Sequence, residues 1–582
     1  NSDRSGYEPS YHHGYANYEE PKVYNTGVIK TSENIGETRE AAADGSVLVA
    51  ATAKQSDTGT VSAMYVGKDV ADNAITVDLQ GHDLKLASQS NASGFSESDT
   101  IYVGAGKTVN VKNSGTAGSL HITAGRSDLT STKFGDQSGW DNGIEEKAGG
   151  HFTADTDVSI EGIGGAAFSK KGIDTAGSMD FNKNLTIKNV ASNGQESADE
   201  PISSKVSKDF NEDSGYGMYV HNSNADGVAV NVKGMLELDN IYGDGIYVEN
   251  TGKGSTVINT AGITAKDIGR YLVNVKGSTV NLNSGTGITP GVVKATGDIA
   301  AYDTAGTEVN MNLTEGSDWT GAVIHLGSST GTKGAVNLTL GKNSTWTNTL
   351  SRYQGKTDKV SALASLKGEG GTIMQGSRLI TVVSYSGNST VIYRHDASDP
   401  TSITGGNFTV TKAAKDSAIT LLTDNSGIDM KAATADAKNR VSEVLNKLAQ
   451  KLFYTGYTEG NLKGTVEIAD GLTASSVSLK TGDISYSTAT TGTKTEGQGY
   501  YAYTPAEDIP TDQTTTEFSQ QITGDETKDA TYIKAGVLKK GTSPALYKFT
   551  KDSTITLAAD GTNDDSERNN GIIRLDGKNA NI

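Results

Sequence analysis

The sequence predicts an all-β chain: a right-handed parallel β-helix with one amphipathic capping helix near residues 433–455 and the start of a second β-helix at the C-terminus. Three observations carry that reading. The composition favours short strands and turns. One strand–turn–strand phrase returns at a nearly fixed step. Within each copy apolar and polar residues alternate, the period of a strand with one buried face.

Glycine contributes 70 of 582 residues, about 12% against a usual level of roughly 7%. Proline contributes only 8, and aromatics 6%. Thr, Ser, Asn, Asp and Gly fill the spaces between short apolar runs, as strands separated by turns require. The net charge is −18 and no cluster of Lys and Arg interrupts it, so nucleic acid is not an expected partner. There is no cysteine, which excludes a disulfide framework, a thiolate metal site and cysteine catalysis. No apolar run reaches the length of a membrane-spanning helix, so no membrane insertion by this segment is expected. The chain starts at Asn1 rather than Met, which fits a removed leader.

The repeat is clearest in VNMNLTEGSDWTG at 309–321 and VNLTLGKNSTWTN at 336–348. Val309 meets Val336, Met311 meets Leu338, Leu313 meets Leu340 and Trp319 meets Trp346, all at the same offset of 27. Upstream, VNLN at 280–283 precedes Val309 at an offset of 29, STVIN at 255–259 adds a step of 23, and VAVNV at 228–232 adds one of 27. A second column pairs GYGMYVHN at 215–222 with GDGIYVEN at 243–250, offset 28. Constant strand order with variable turn length reads as stacked coils, like side chain over like side chain. The earlier runs AITVDLQGHDLKL (74–86), KTVNVKNSG (107–115), SLHIT (119–123), DVSIEGI (157–163) and NLTIKNV (184–190) continue the scheme. The polar stretches 126–149 and 191–214 read as loops leaving the coils. At roughly 25–28 residues and about 4.8 Å per coil, residues 25–395 give about 14 coils.

The pattern changes near residue 385. In 433–456, Val441, Val444, Leu445, Leu448 and Leu452 fall at helical spacing, with Asp436 before them and Gly456 after. This helix reads as a plug for open strand edges, with a partner-binding helix as the alternative. The organisation is then a Tyr-rich arm at 1–24, a parallel β-helix at 25–395, a cap region at 396–503, an acidic linker at 504–530 and a second β-helix unit from 531 to 582. The last assignment rests on a collinear restart: VYNTGVIK at 23–30 resembles TYIKAGVLK at 531–539, and the match continues from 44–68 to 552–578. A last partial layer is the alternative.

The segments VNLTLGKNSTWTN, STVIYRHDASDPTSITGGNFTVTKAAKDSAITLL (389–422) and NKLAQKLFYTGYTEGNLKGTVEIADGLTASSVSLKTGDI (446–484) resemble passenger domains of monomeric (AIDA/pertactin-like) autotransporter adhesins of diderm bacteria. The resemblance is clearest over 300–487. It implies a secreted or cell-surface location, with outer-membrane anchoring through a C-terminal β-barrel that is not part of this sequence. The family spans adhesins, biofilm proteins, proteases and cytotoxins, so membership alone does not fix an activity.

Residue-level chemistry is sparse. GTSPA at 541–545 resembles the nucleophile stretch of subtilisin-like proteases, but a strand-like LYKFT follows it, and no GxSxG occurs. Asp244 and Asp267 lie about one coil apart, the arrangement that two glycosidase carboxylates would need; solvated turn carboxylates are the plainer reading. GHD at 81–83 is not the GHG of rod-shaped polygalacturonases. DGTNDDSE at 560–567 lacks calcium-loop spacing. His12 and His13, with Tyr11 and Tyr15, could catch a metal, but a polar arm is the commoner explanation; its five tyrosines at 7–24 suit a cap on the first coil or docking on a neighbouring molecule. No catalytic, cofactor-binding or metal-ligating residue is assigned, and no cofactor.

The expected function is a non-enzymatic, rod-like surface passenger, an adhesin or surface-fibre component. It would bind by multivalent contact with a protein or glycan receptor on host or bacterial surfaces, or with neighbouring copies of itself. The alternatives are an extracellular polysaccharide-active β-helix enzyme and a purely structural filament subunit. The enzyme reading requires Asp, Glu, Arg and aromatic residues clustered on one face.

Overall fold

The computed structural model describes residues 60–423 except 69, 90–96, 127–139, 165–169, 192–214, 328–332, 352–358 and 397. It also describes 22–24, 29–31, 35–41, 47–53, six helical positions between 436 and 448, 451–454, 462–469, 476–477, 516–524, 532–534, 537–539 and 545–548. Strand is their dominant element, in long sheets of mainly parallel pairing, with helix confined to a few positions. They divide into two compact units: Asn1–Asn312, Trp319–Ala335 and Leu350–Thr357 form the first; Leu313–Asp318, Val336–Thr349 and Asp358–Ile582 form the second.

In the first unit each winding contributes three short strands, and each strand pairs in parallel with its equivalent one winding later. Column one runs through Ala74–Asp78, Thr108–Lys112, His151–Ala154, Ser178–Phe181, Val228–Val232, Thr256–Thr260 and Thr279–Leu282. Column two runs from Val47–Ala53 through Leu84–Gln89, Leu120–Ala124, Val158–Ile163, Leu185–Val190, Leu236–Ile241 and Ile263–Ile268 to Val293–Thr296. Column three includes Glu97–Val103, Trp140–Glu146, Lys170–Thr175, Tyr216–Asn222, Ile246–Asn250, Tyr271–Lys276, Asp298–Tyr302 and Val323–Leu326.

Alternation decides which side chains enter the core. Val109, Phe152, Met179, Val230, Ile258 and Val280 follow one another in register, all with 0% exposure. Phe152 and Phe181 pack with ring centroids 5.7 Å apart. Fully burying a Val, Ile or Phe side chain contributes roughly 1.5–3 kcal/mol, and here the contribution recurs in every winding. On the outer side the asparagines lie over one another. Asn259 donates to Asn231 at 2.8 Å, Asn281 to Asn259 at 2.7 Å and Asn310 to Asn281 at 2.8 Å.

This ladder corrects the alignment made on valines. Steps of 27 and 23 around STVIN would place Val257 in line with Val230 and Val280. The structure instead seats Ile258 between them, with steps of 28 and 22. A one-residue slip would turn Val257 inward and Ile258 outward and break the amide ladder. The two one-residue errors cancel in the sum, so the longer spacing hid them.

Column two bends into column three through one recurrent device. Gly162, Asn189, Asn240 and Asp267 occupy the same place in successive windings, with φ between 52° and 69°. Asn and Asp tolerate that left-handed conformation better than other non-glycine residues. Just beyond, Ile163, Val190, Ile241 and Ile268 turn back into the core.

Other expectations need correction. Residues 126–149 are not all loop, because Trp140–Glu146 is a column-three strand; Glu145 and Glu146 disguise its alternation. Among the described residues the first parallel pairing is that of Val47–Ala53. Ahead of it, Lys22–Tyr24 and Ile29–Thr31 form an antiparallel pair, as do Tyr532–Lys534 and Val537–Lys539. The two segments that match in sequence are therefore both short hairpins.

In the second unit two strands of a winding merge into one. Val360–Gln375 pairs in parallel with both Ala335–Leu340 and Thr345–Asn348. Leu379–Asp396 then follows Val360–Gln375 with a three-residue connection, too short for a third strand. The fused strands kink at Gly370 (φ 96°) and Gly387 (φ 76°), and the register shifts between Glu369 and Gly371. Phe408–Ala413 and Ser417–Thr423 continue the stack to Leu452–Tyr454 and Leu462–Ala469. Asp436, Arg440, Glu443, Val444, Lys447 and Leu448 are helical, with Val444 and Leu448 buried. Leu452, read as helical, starts a strand paired to Phe408 instead. Lys451 is a turn and Phe453 and Tyr454 continue that strand, and the other positions of the expected capping helix lie outside the described residues. Within 504–530, Thr516–Gly524 is strand, antiparallel to Leu462–Ala469.

Candidate binding face

Column three of the first unit departs most from an apolar-in, neutral-out pattern. Its strands enter through Gly143, Gly172, Gly217 and Gly245, stacked one over the next. A Cβ on Gly172 would lie 2.6 Å from the Gly217 carbonyl oxygen, and one on Gly217 would lie 2.5 Å from that of Gly245. Only glycine lets these backbones approach so closely. The sequence carries the mark as GIEE, GIDT, GMYV and GIYV, a Gly–apolar pair that recurs even where the rest is polar.

The glycines set the register of one row on the side away from the apolar column: Tyr65, Tyr102, Glu145, Asp174, Tyr219, Tyr247, Asn274 and Ala300, of which Tyr65, Tyr219 and Tyr247 are partly exposed and the others buried. Tyr65 and Tyr102 stack at 5.0 Å, and Tyr219 and Tyr247 at 4.9 Å. Two adjacent carboxylates lie between the tyrosine pairs. Glu145 is bonded to Lys147, and Asp174 to Lys171 at 2.5 Å and His221 at 3.0 Å. Burial opposes the Asp174 charge, but Lys171 and His221 overcome that and hold its carboxyl well below the usual range. Lys171 also sits 4.2 Å from the Tyr219 ring centre.

Deeper in the same column, Lys170 and Asp141 form an ion pair at 3.0 Å with no exposure of either, and Ser98 donates to Asp141. Asn142 donates to Asp99 at 2.8 Å. Farther along, Tyr247 donates to Glu249 at 3.1 Å and Lys276 to Glu249 at 2.8 Å, where both charged groups are partly exposed. Burial pushes the Tyr247 hydroxyl well above its ordinary value, so it stays protonated. Asp303 gathers His325 at 3.0 Å, Lys333 at 2.8 Å and the Gly334 amide at 3.1 Å. Each cation named here has a carboxylate beside it, so the face offers hydrogen bonds and rings without an excess of either charge.

The residues weighed from sequence fare differently. Asp244 is fully buried, not solvated. It accepts from Arg270 Nε at 2.8 Å, the Tyr271 amide at 3.1 Å and Asn274 at 3.1 Å. Asp267 is exposed at its left-handed turn. The two do not form a facing pair of carboxylates. Gly81 and Asp83 belong to a turn, where Asp83 accepts from the Ser119 amide at 2.9 Å. Tyr11, His12, His13, Tyr15, residues 541–544 and residues 560–567 lie outside the described residues. Among the described residues no three His, Asp or Glu side chains gather as a metal site, and no helix is long and apolar enough to cross a membrane. Sequence reading missed Glu145, Lys171 and Asp174 altogether, because each looks like ordinary surface charge until the register aligns them. No family model matches the chain, and neither does any curated protein or solved structure, so the geometry of this face is the ground for a functional reading.

Proposed function

We propose that the chain is a right-handed parallel β-helical passenger of an autotransporter-like surface protein, acting as an adhesin or surface-fibre component. It binds a protein or glycan receptor, or neighbouring copies, through many weak contacts. It is secreted or held at the cell surface through a segment outside this sequence, and the helical positions between 436 and 448 serve as a cap. The observation that carries this reading is the stacking in the first unit. Most inward residues stay apolar from winding to winding, while the rows on the other side change from amides to rings to ion pairs. Such a scaffold varies its contact surface without disturbing its core.

Multivalency gives the test. Beads carrying many copies of the chain should bind a panel of glycans and intact cells with apparent affinity about 10²–10⁴-fold above that of the free chain. No binding by the beads, or equal binding by both forms, overturns the proposal.

A second reading, a polysaccharide-active enzyme, is favoured by one observation: Glu145 and Asp174 are in register between two tyrosine pairs. Both carboxylates are buried and bound to lysines, which disfavours attack on a substrate. Release of new reducing ends from a polysaccharide panel, lost in the Glu145→Gln variant, would establish it over the adhesin reading.

A further inference from the structure

Glu145 and Glu146 are neighbours in sequence and point to opposite faces of one strand. Glu145 faces outward and has Lys147. Glu146 faces inward, in register between Val103 and Thr175, with 1% of its surface exposed. Its Oε1 accepts the Thr175 hydroxyl at 2.8 Å, and its Oε2 has no hydrogen-bond partner among the described residues. Backbone closes around it: a Cβ on Gly177 would lie 2.4 Å from Oε1, and one on Gly150 2.8 Å from its Cγ. The charged groups that act on it are acidic: Glu145, on the opposite face of its own strand, and Asp180 on Ser178–Phe181. The nearby cations are engaged elsewhere, Lys147 with Glu145 and His151 with Asp180.

We propose that Glu146 is a proton-carrying core residue, which makes the windings over 140–181 a layer that loosens as pH rises. Removing the proton would leave a carboxylate inside an apolar column with no cation to meet it. Burial pushes this carboxyl well above its ordinary value of 4.5, Thr175 and the Phe152 backbone oppose the shift, and Glu145 and Asp180 add to it. The sign follows. The folded layer holds the proton more tightly than the opened one, so its stability is fully present below 4.5. That stability is lost as pH rises from there to the folded value, where the loss levels off.

Amide hydrogen exchange on the full chain tests the proposal, comparing wild type with Glu146→Gln, a neutral side chain of nearly the same shape. Protection of 140–181 in wild type, relative to the variant, should fall about tenfold per pH unit over the window in which only the opened layer is ionised. A ratio that stays constant with pH overturns the proposal. If the variant does not fold, the wild type decides alone. With glutamate side chains labelled with ¹³C, one carboxyl should keep the shift of a protonated acid through the pH range in which the other glutamates ionise, and its absence overturns the assignment.

Discussion

The two units build windings by the same rule and use them differently. In the first unit three strands make a winding, and steps range from 22 residues at Asn259–Asn281 to 51 at Asp180–Asn231. In the second, Val360–Gln375 and Leu379–Asp396 are long single strands, and Val360 meets Leu379 after a step shorter than any of these. The buried Asp, Glu and Lys residues among the described residues all belong to the first unit, most of them in column three; the second unit's buried charge is Arg378. A third column therefore does more than lengthen a winding. It is where the chain accepts insertions and places groups that apolar stacking alone would exclude.

Rows differ within the first unit for a related reason. An amide both donates and accepts, so asparagine can repeat over asparagine with each rung satisfied. Carboxylates cannot repeat in that way, so Glu145 and Asp174 hold adjacent rungs only because Lys147 and Lys171 neutralise them from the side.

The largest effect should come from breaking an ion pair of the third column. Asp244→Ala strips Arg270, itself largely buried, of its bidentate partner and should cost about 4 kcal/mol in denaturant unfolding. A cost below about 1 kcal/mol, the level of a surface pair, would remove the contrast between the units. Gly217→Val comes next, at about 3 kcal/mol, because its Cβ meets a backbone oxygen that cannot move alone. Loss of protection should spread along column three while Leu379–Asp396 keeps its own. In the neutral row, Asn259→Ala leaves an acceptor on Asn231 and a donor on Asn281, at about 1.5 kcal/mol. The second unit should show the smallest change. Tyr393→Phe removes one hydrogen bond to the Gly406 carbonyl at 3.1 Å, about 1 kcal/mol, with no dependence on salt.

Much of the architecture was legible because strand alternation and repetition are local signals. VNLN and GIYV announce columns without help from the rest of the chain. Register was harder. Val257 and Ile258 are interchangeable as apolar letters, and only the amide contact of Asn259 separates them. Column three was hardest, since Trp140–Glu146 and Lys170–Thr175 place charges where alternation calls for aliphatics. Their meaning is collective: Lys170 reads as surface until Asp141, one winding earlier, appears beneath it. The face could be found from sequence only by following its glycines. Asp244 shows the same limit, since a Gly-Asp-Gly string signals a turn and says nothing of Arg270.

The amide ladder has a consequence for how such a chain changes over time. Each rung consults only the rungs beside it, so the structure contains no ruler that counts them. Duplicating the stretch between Asn231 and Asn259 would supply a new rung whose neighbours are chemically identical to those it displaced. A gene built on this unit can grow or shrink by whole layers without redesigning its ends.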